Sequence, residues 1–318
     1  MKIKKLKKYL PIIGIVIFAY LLIKLDALKI IKEITNVNIF FLLVALFFSI
    51  INILTETMKW FVVARYQKIK VPFFEAVGIN LIGGFYGFIT PSKVGNIIRA
   101  EYLKKYSNDK RGKGISNFVL DKVLDICSLV ILIIIFSFVS LKFLSANYLY
   151  FFILGLVFLL ACLFIFMDKE RSRRILKVFY KLVPEKLKER VKRGFYSFYE
   201  DMPKKRYLFL FFSIYIINWI VAYSVMFFIG LSVQINNVSF FYFLAILPIA
   251  TLVAQIPITI SGLGTRELTI IGLFGILGVE ATKVFSMSII GLFIGSIIPA
   301  IIGFFLSLIN GKKTVKQK

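Results

Sequence analysis

The sequence predicts an all-α polytopic membrane protein of about eight crossing or re-entrant helical units, with one or two broken-helix hairpins among them. Three observations carry that class. The 318 residues are 59% hydrophobic with a mean hydropathy of +0.87, and several separate apolar windows reach the roughly 20 residues a crossing needs. The net charge is +25, from 41 basic and 16 acidic residues, yet the excess sits in short connecting segments: +5 in 1–8, +4 in 59–70, +5 in 91–117, +8 in 168–206 and +4 in 311–318. The rest of the chain is close to neutral, so the basic segments mark the cytoplasmic side, both termini included. Finally, two apolar segments stop too early to cross and run into polar, glycine-containing turns.

The first apolar run, 9–23, follows a basic head and is followed by Lys24-Leu25-Asp26 rather than a small-residue cleavage motif, so a retained first helix is expected. Residues 24–37 read as a nearly neutral outer loop. Helix two is expected over 38–64, with Lys59 snorkelling and Trp60 at the interface near its cytoplasmic end. Glu56 and Lys59 share a face of it at i, i+3. Pro72 opens the next helix, with Glu75 in its first turn, where the helix dipole favours a carboxylate.

Residues 80–101 read NLIGGFYGFITPSKVGNIIRAE, an apolar stretch interrupted by Gly83, Gly84 and Gly87 that halts at Thr90-Pro91. If 73–90 crossed, the seven basic residues of 91–117 would lie outside; a segment that enters and returns keeps them with every other basic loop. Backbone that leaves the helix at membrane depth is tolerated where protein buries it or water lines it, so the stretch suggests a binding cavity. A short connecting helix at the interface is the plainer alternative.

A long helix over 117–141 begins with Asp121, Lys122 and Asp125. Its two carboxylates lie one turn apart on one face, either paired as structural glue or taking part in the cavity. Helix five is expected at 148–167. The basic segment 168–206 is a cytoplasmic loop inside a single membrane domain spanning 1–318. Within it Leu187, Val191, Phe195, Phe198, Tyr199 and Met202 recur at helical spacing opposite Lys and Arg, the pattern of a helix lying on anionic lipid or packing on the bundle. Helix six covers 207–229. The segments 240–256 and 268–278, separated by TISGLGTRE at 259–267, form either a second hairpin or two crossings. A final helix spans 283–309.

The two interrupted segments echo each other. Pro91, Lys93, Gly95, Asn96, Arg99 and Glu101 in one face Pro257, Ser261, Gly262, Gly264, Arg266 and Glu267 in the other, with the prolines 166 residues apart. Corresponding interruptions in two halves of a transporter point to a midplane site and an internal repeat. Glycines let backbone amides approach a ligand, and Arg99, Arg266 and Lys93 add fixed cations. Such a site suits an anion, and in a membrane the natural anion is a lipid phosphate. Arg99, Arg266, Lys93, Asn96, Gly95, Ser261, Gly262 and Gly264 are therefore the candidate substrate-binding residues. Glu101, Glu267, Asp121, Lys122 and Asp125 are candidates for charge balance or coupling. Each Arg–Glu couple can equally be a structural lock.

Lys59-Trp60, Pro91…Gly95-Asn96…Arg99, Asp121-Lys122-Val123-Leu124-Asp125 and Ser261-Gly262-Leu263-Gly264-Thr265-Arg266-Glu267 resemble the flippase-like family that includes the N-terminal membrane region of lysylphosphatidylglycerol synthases and the membrane region of some archaeal dolichol-phosphate glycosyltransferases. Asn96 stands where that family usually has Glu, which removes a carboxylate from that position. Asp121-Lys122 stands for its Glu-Arg and keeps the charges. The resemblance implies translocation of a charged lipid by the membrane half alone, since this chain ends at Lys318.

Absence of histidine removes the usual general base near neutral pH and the commonest transition-metal ligand. Cys127 and Cys162 fall in apolar runs and serve as small hydrophobes. There is no P-loop. Accordingly no metal or cofactor is expected, nucleic acid is not an expected partner, and catalysis by this chain is less expected than lipid binding. The expected partners are anionic or polyprenyl-phosphate lipids and a membrane-bound transferase. The rival reading is a membrane-embedded transferase with Asp121 and Asp125 on a divalent metal, or an accessory subunit recruiting one.

Overall fold

Apolar runs punctuated by caps and prolines become helices here with little exception. The computed structural model describes residues 14–91, 93–107, 111–140, 157, 169–180, 196, 199, 205–256 and 259–315. Helix α1, Gly14–Lys24, leads into α2, Ala27–Thr35, where a loop was expected. Asp26 makes the difference: its carboxylate accepts from Leu28 N–H at 3.0 Å and starts the helix. Ile30 then joins Leu21 and Phe285 in a buried cluster.

Helix α3, Ile39–Tyr66, is capped by Asn38, whose side chain accepts from Phe40 N–H. Its 28 residues extend about 42 Å at 1.5 Å per residue. After Pro72 comes α4, Phe73–Phe88, only 16 residues long. A turn, a 3₁₀ segment Val94–Ile98 and the short α5, Arg99–Leu103, bring the chain back. Lys70 N–H donates to the Tyr106 carbonyl at 3.3 Å, so the segment starts and finishes side by side. This is the returning hairpin that the basic loops require.

Helix α6, Arg111–Ser140, has 30 residues and starts earlier than expected. Within the basic segment, α7 covers Lys169–Tyr180. Expected helix five and the amphipathic stretch 186–202 lie outside the described residues, apart from Val157, Tyr196 and Tyr199. Helix α8, Lys205–Ser232, packs along α3. Helix α9, Phe240–Gln255, contains Pro248, and α10, Thr265–Gly275, follows the second turn.

The two ends of this second segment lie together. Tyr242 Oη donates to the Leu273 carbonyl at 3.0 Å, and the Phe243 and Phe274 rings meet edge to face at 4.9 Å. The start of α9 therefore lies beside the end of α10, an antiparallel pair that both the re-entrant and the two-crossing arrangements contain. The last rod is α11, Ala281–Leu292, a π-helical turn Phe293–Ile297 and α12, Ile298–Val315. Three helices among the described residues are long and apolar enough to cross a membrane: Ile39–Tyr66, Tyr207–Ser232 and Ala281–Ile309. Their exposed Phe40, Phe47, Phe209 and Phe305 suit a hydrocarbon solvent.

The tips of the two hairpins touch. Pro91 and Ile260 form an isolated antiparallel bridge, and Ser261 Oγ donates to the Phe88 carbonyl at 2.8 Å. Residues half a chain apart in sequence thus share one place in the bundle.

Candidate functional site

Glycine placement builds the first tip. A Cβ on Gly95 would lie 2.0 Å from the Tyr86 carbonyl oxygen, so the turn can fold down on the end of α4 only with glycine there. Gly95 N–H donates to Thr90 Oγ1 at 2.8 Å and fixes the return. Gly83 and Gly87 leave room for Asn96 and for the Arg99 stem. The glycines that interrupt the apolar run therefore accommodate the returning chain. Lys93, at φ 53, is a left-handed non-glycine residue on this tip, and Ser261, at φ 50, is one on the other.

The second tip is held by its own carboxylate. Gly264, at φ 83, has its backbone against Gly14 of α1. Its N–H donates to Glu267 Oε2 at 2.6 Å, which satisfies an otherwise orphaned donor at the start of α10. The other oxygen of Glu267 accepts from Arg266 at 2.8 Å and from Ser288 Oγ at 2.9 Å. Glu267 is buried, whereas the Arg266 side chain is 23% exposed.

On the other side, α6 meets α3 and the first tip through two buried ion pairs. Lys59 Nζ and Asp125 Oδ1 are 2.6 Å apart, and Arg99 and Asp121 Oδ2 are 2.5 Å apart. Tyr215 Oη donates to the second Asp121 oxygen at 2.7 Å. The Arg99 guanidinium lies over Trp60 and Phe118, and Lys59 lies over Tyr215 and Trp219. Two charges are tolerable in a dry bundle only when paired and further bonded in this way. Lys59 and Trp60 are accordingly buried in the bundle, and Lys59 does not snorkel outward. Asp125 holds the one, and Asn80 accepts from the indole of the other at 3.1 Å. Asp125 takes Lys59 as its partner, and Lys122 is left to the cavity.

Between these features lies a cavity of about 220 Å³. Both tips, the polar face of α3, the start of α6, the middle of α8, the end of α9 and the π turn all line it. Of the predicted residues, Lys93, Asn96, Arg99, Asp121, Lys122, Asp125, Ser261 and Arg266 line it. Gly95, Gly262 and Gly264 shape the turns, and Glu267 lies behind Arg266. Glu101 is exposed on α5 and is not among the lining residues. Among the described residues, the charged lining groups outside an ion pair are Lys93, Lys122 and Glu56.

The residues missed in the sequence are polar ones inside apolar helices. Ser49, Asn52, Glu56 and Lys59 recur at three- and four-residue steps on α3, a polar stripe at helical period that marks a cavity-facing side. Asn218 and Trp219 on α8 and Gly295 and Ser296 in the π turn also line the space; no local motif signals the π turn.

A UPF0104 membrane protein of Pyrococcus horikoshii is 26% identical to this chain, over 98% of this chain and the whole of that protein. The sequence pattern described as the lysylphosphatidylglycerol synthase TM region matches residues 11–303, and the chain belongs to that family.

Proposed function

We propose that this protein binds an anionic membrane lipid by its headgroup phosphate in the cavity between the hairpin tips and moves it between leaflets. The observation that carries the reading is a surplus of cationic capacity where the two tips meet. Lys93 and Lys122 face the cavity without an ion pair, and Arg266 presents a partly exposed guanidinium tethered to Glu267. In a low-dielectric surrounding such cations favour a fixed anion strongly, and tips left free of a regular ladder offer backbone amides beside it. The family's link to lysylphosphatidylglycerol synthases supports a lipid role. A phospholipid and a polyprenyl phosphate both carry the required group.

On this reading the two arginines do different work. Arg99 and Asp121 neutralise each other behind aromatic rings, as do Lys59 and Asp125, so these pairs hold the cavity wall. The same pairing weighs against Asp121 and Asp125 as metal ligands in a transferase, since each already faces a cation. The basic segments 59–70 and 91–117 support a cytoplasmic position in the cell membrane for the start of the first hairpin. A membrane-bound transferase that makes or consumes the lipid is the expected protein partner.

Native mass spectrometry of protein released in mild detergent tests the reading. Wild type is expected to retain a phosphate-bearing lipid, and the Lys93→Ala/Lys122→Ala/Arg266→Gln protein to lose it while remaining folded. Equal retention by both would overturn the assignment.

A further inference from the structure

We propose that the protein carries a sodium site in a side pocket of this cavity, between α3 and the π turn, with Glu56 and Asn52 as principal ligands. The pocket is small, about 60 Å³, and Ser49, Asn52, Glu56, Gly295 and Ser296 are among its lining residues. Ser49, Asn52 and Glu56 stand on one face of α3 at i, i+3 and i+7, so their oxygens point the same way. Asn52 Oδ1 is buried and has no hydrogen-bond partner. A buried amide oxygen without a donor is costly, and a cation is the partner that would satisfy it. Glu56, one turn further along, has no ion pair among the described residues.

The opposite wall carries Gly295 and Ser296 of the π turn. Across Phe293–Ile297 the helix takes five-residue steps, with Ile298 N–H bonded to the Phe293 carbonyl. A π turn frees carbonyls from the regular ladder, and the Ile294 carbonyl already accepts from Ser49 Oγ at 3.4 Å. One carboxylate, an amide oxygen, a hydroxyl and helix-break carbonyls make a hard-oxygen set with a single negative charge. That set suits a monovalent hard cation: divalent ions draw on more carboxylates, and softer metals on His or Cys. Broken helices supply such ligands for coupling sodium ions in transporters.

Lys93 lines the same pocket and is the built-in competitor. It reaches Glu56 electrostatically without an ion pair at 4.0 Å or less. Sodium on Glu56 releases Lys93 toward a phosphate, and loss of sodium leaves Glu56 to attract Lys93. Occupancy of the site stands independently of the lipid reading; its use as a coupling ion rests on that reading.

The test is thermal unfolding of the full chain in detergent, in sodium, potassium or choline chloride at equal ionic strength. Wild type is expected to unfold about 5 °C higher in sodium than in the other two salts. Glu56→Gln and, separately, Asn52→Ala abolish that difference, while Lys93→Gln preserves or enlarges it. Equal midpoints in the three salts, a shift common to all, or a sodium effect that survives both α3 substitutions overturns the site. Lipid retention measured on the same samples separates the two proposals: lost sodium response with retained lipid in wild type sinks the ion alone, and the converse sinks the lipid reading alone.

Discussion

The two turns that meet at the centre share a sequence pattern and use it differently. Each places an arginine and a glutamate after proline and glycine, and each packs its tip against the other. In the first turn Arg99 reaches out of its hairpin to Asp121 on α6 and disappears behind Trp60 and Phe118, 4% exposed. In the second, Arg266 stays with its neighbour Glu267 and remains partly open to the cavity. An arginine whose partner lies on another helix becomes a strut, whereas one whose partner is adjacent in sequence keeps its outer face available. The partner's location, which the local motif does not encode, decides the role.

Removing the strut tests that distinction most severely. Asp121→Ala leaves the Arg99 charge buried without its counterion and Tyr215 without its acceptor. A loss of about 3–5 kcal/mol is expected, read as a large drop in thermal midpoint or failure to purify as a monodisperse species. Replacing both charges, Arg99→Met with Asp121→Leu, should recover most of that loss, because an apolar pair of similar volume avoids the desolvation cost. Arg266→Gln, by contrast, leaves Glu267 its bonds from Gly264 N–H and Ser288 Oγ, so it should cost less than Asp121→Ala and show its effect in lipid retention. A larger stability loss for Arg266→Gln than for Asp121→Ala would reverse the two roles.

Glycine at the first tip gives the next effect in size. Gly95→Ala would put a methyl 2.0 Å from the Tyr86 carbonyl oxygen, a contact with backbone that cannot swing aside. A cost of about 1–3 kcal/mol is expected. Gly84→Ala serves as the control on the same hairpin, since no heavy atom lies within 4 Å of its added carbon. Alanine is the better helix former, so Gly84→Ala should be neutral or slightly stabilising; a loss equal to that of Gly95→Ala would mean that the close approach to Tyr86 does not set the need for glycine at position 95.

Much of this arrangement is legible in the sequence. The break after Gly87 and the seven basic residues beyond it imply a returning hairpin, and the chain does return. The matching of 91–101 with 257–267 implies a shared centre, and the two turns touch there. What the sequence withholds is long-range pairing. Asp125 has Lys122 at i+3 and Lys59 distant in sequence, yet takes Lys59, because side-chain direction on a helix and the packing of α6 on α3 decide the contact. The cationic surplus in the cavity follows from that choice, since Lys122 is left without an acid. Local capping chemistry acts at Asp26, whose carboxylate converts an expected loop into α2. The polar stripe of α3 was readable at helical period, but its meaning depended on the π turn facing it.

The smallest expected effect bears on the contact between the two tips. Ser261 Oγ donates to the Phe88 carbonyl, and Phe88 is the last residue of α4, where carbonyls lack helical partners. Ser261→Ala removes that donor at a half-buried position, and about 1 kcal/mol is expected from a single neutral hydrogen bond. The Pro91–Ile260 bridge remains, so the tips should stay together and thermal unfolding should shift by only a few degrees. Gly264→Ala makes the informative partner, since it strains the second turn at φ 83 and crowds the Gly14 carbonyl of α1 at 2.4 Å without touching the first. If the tips act as one unit, the double variant should cost less than the two single losses added. If its cost equals their sum, the two turns are energetically separate, and their contact is an encounter of two independently folded hairpins.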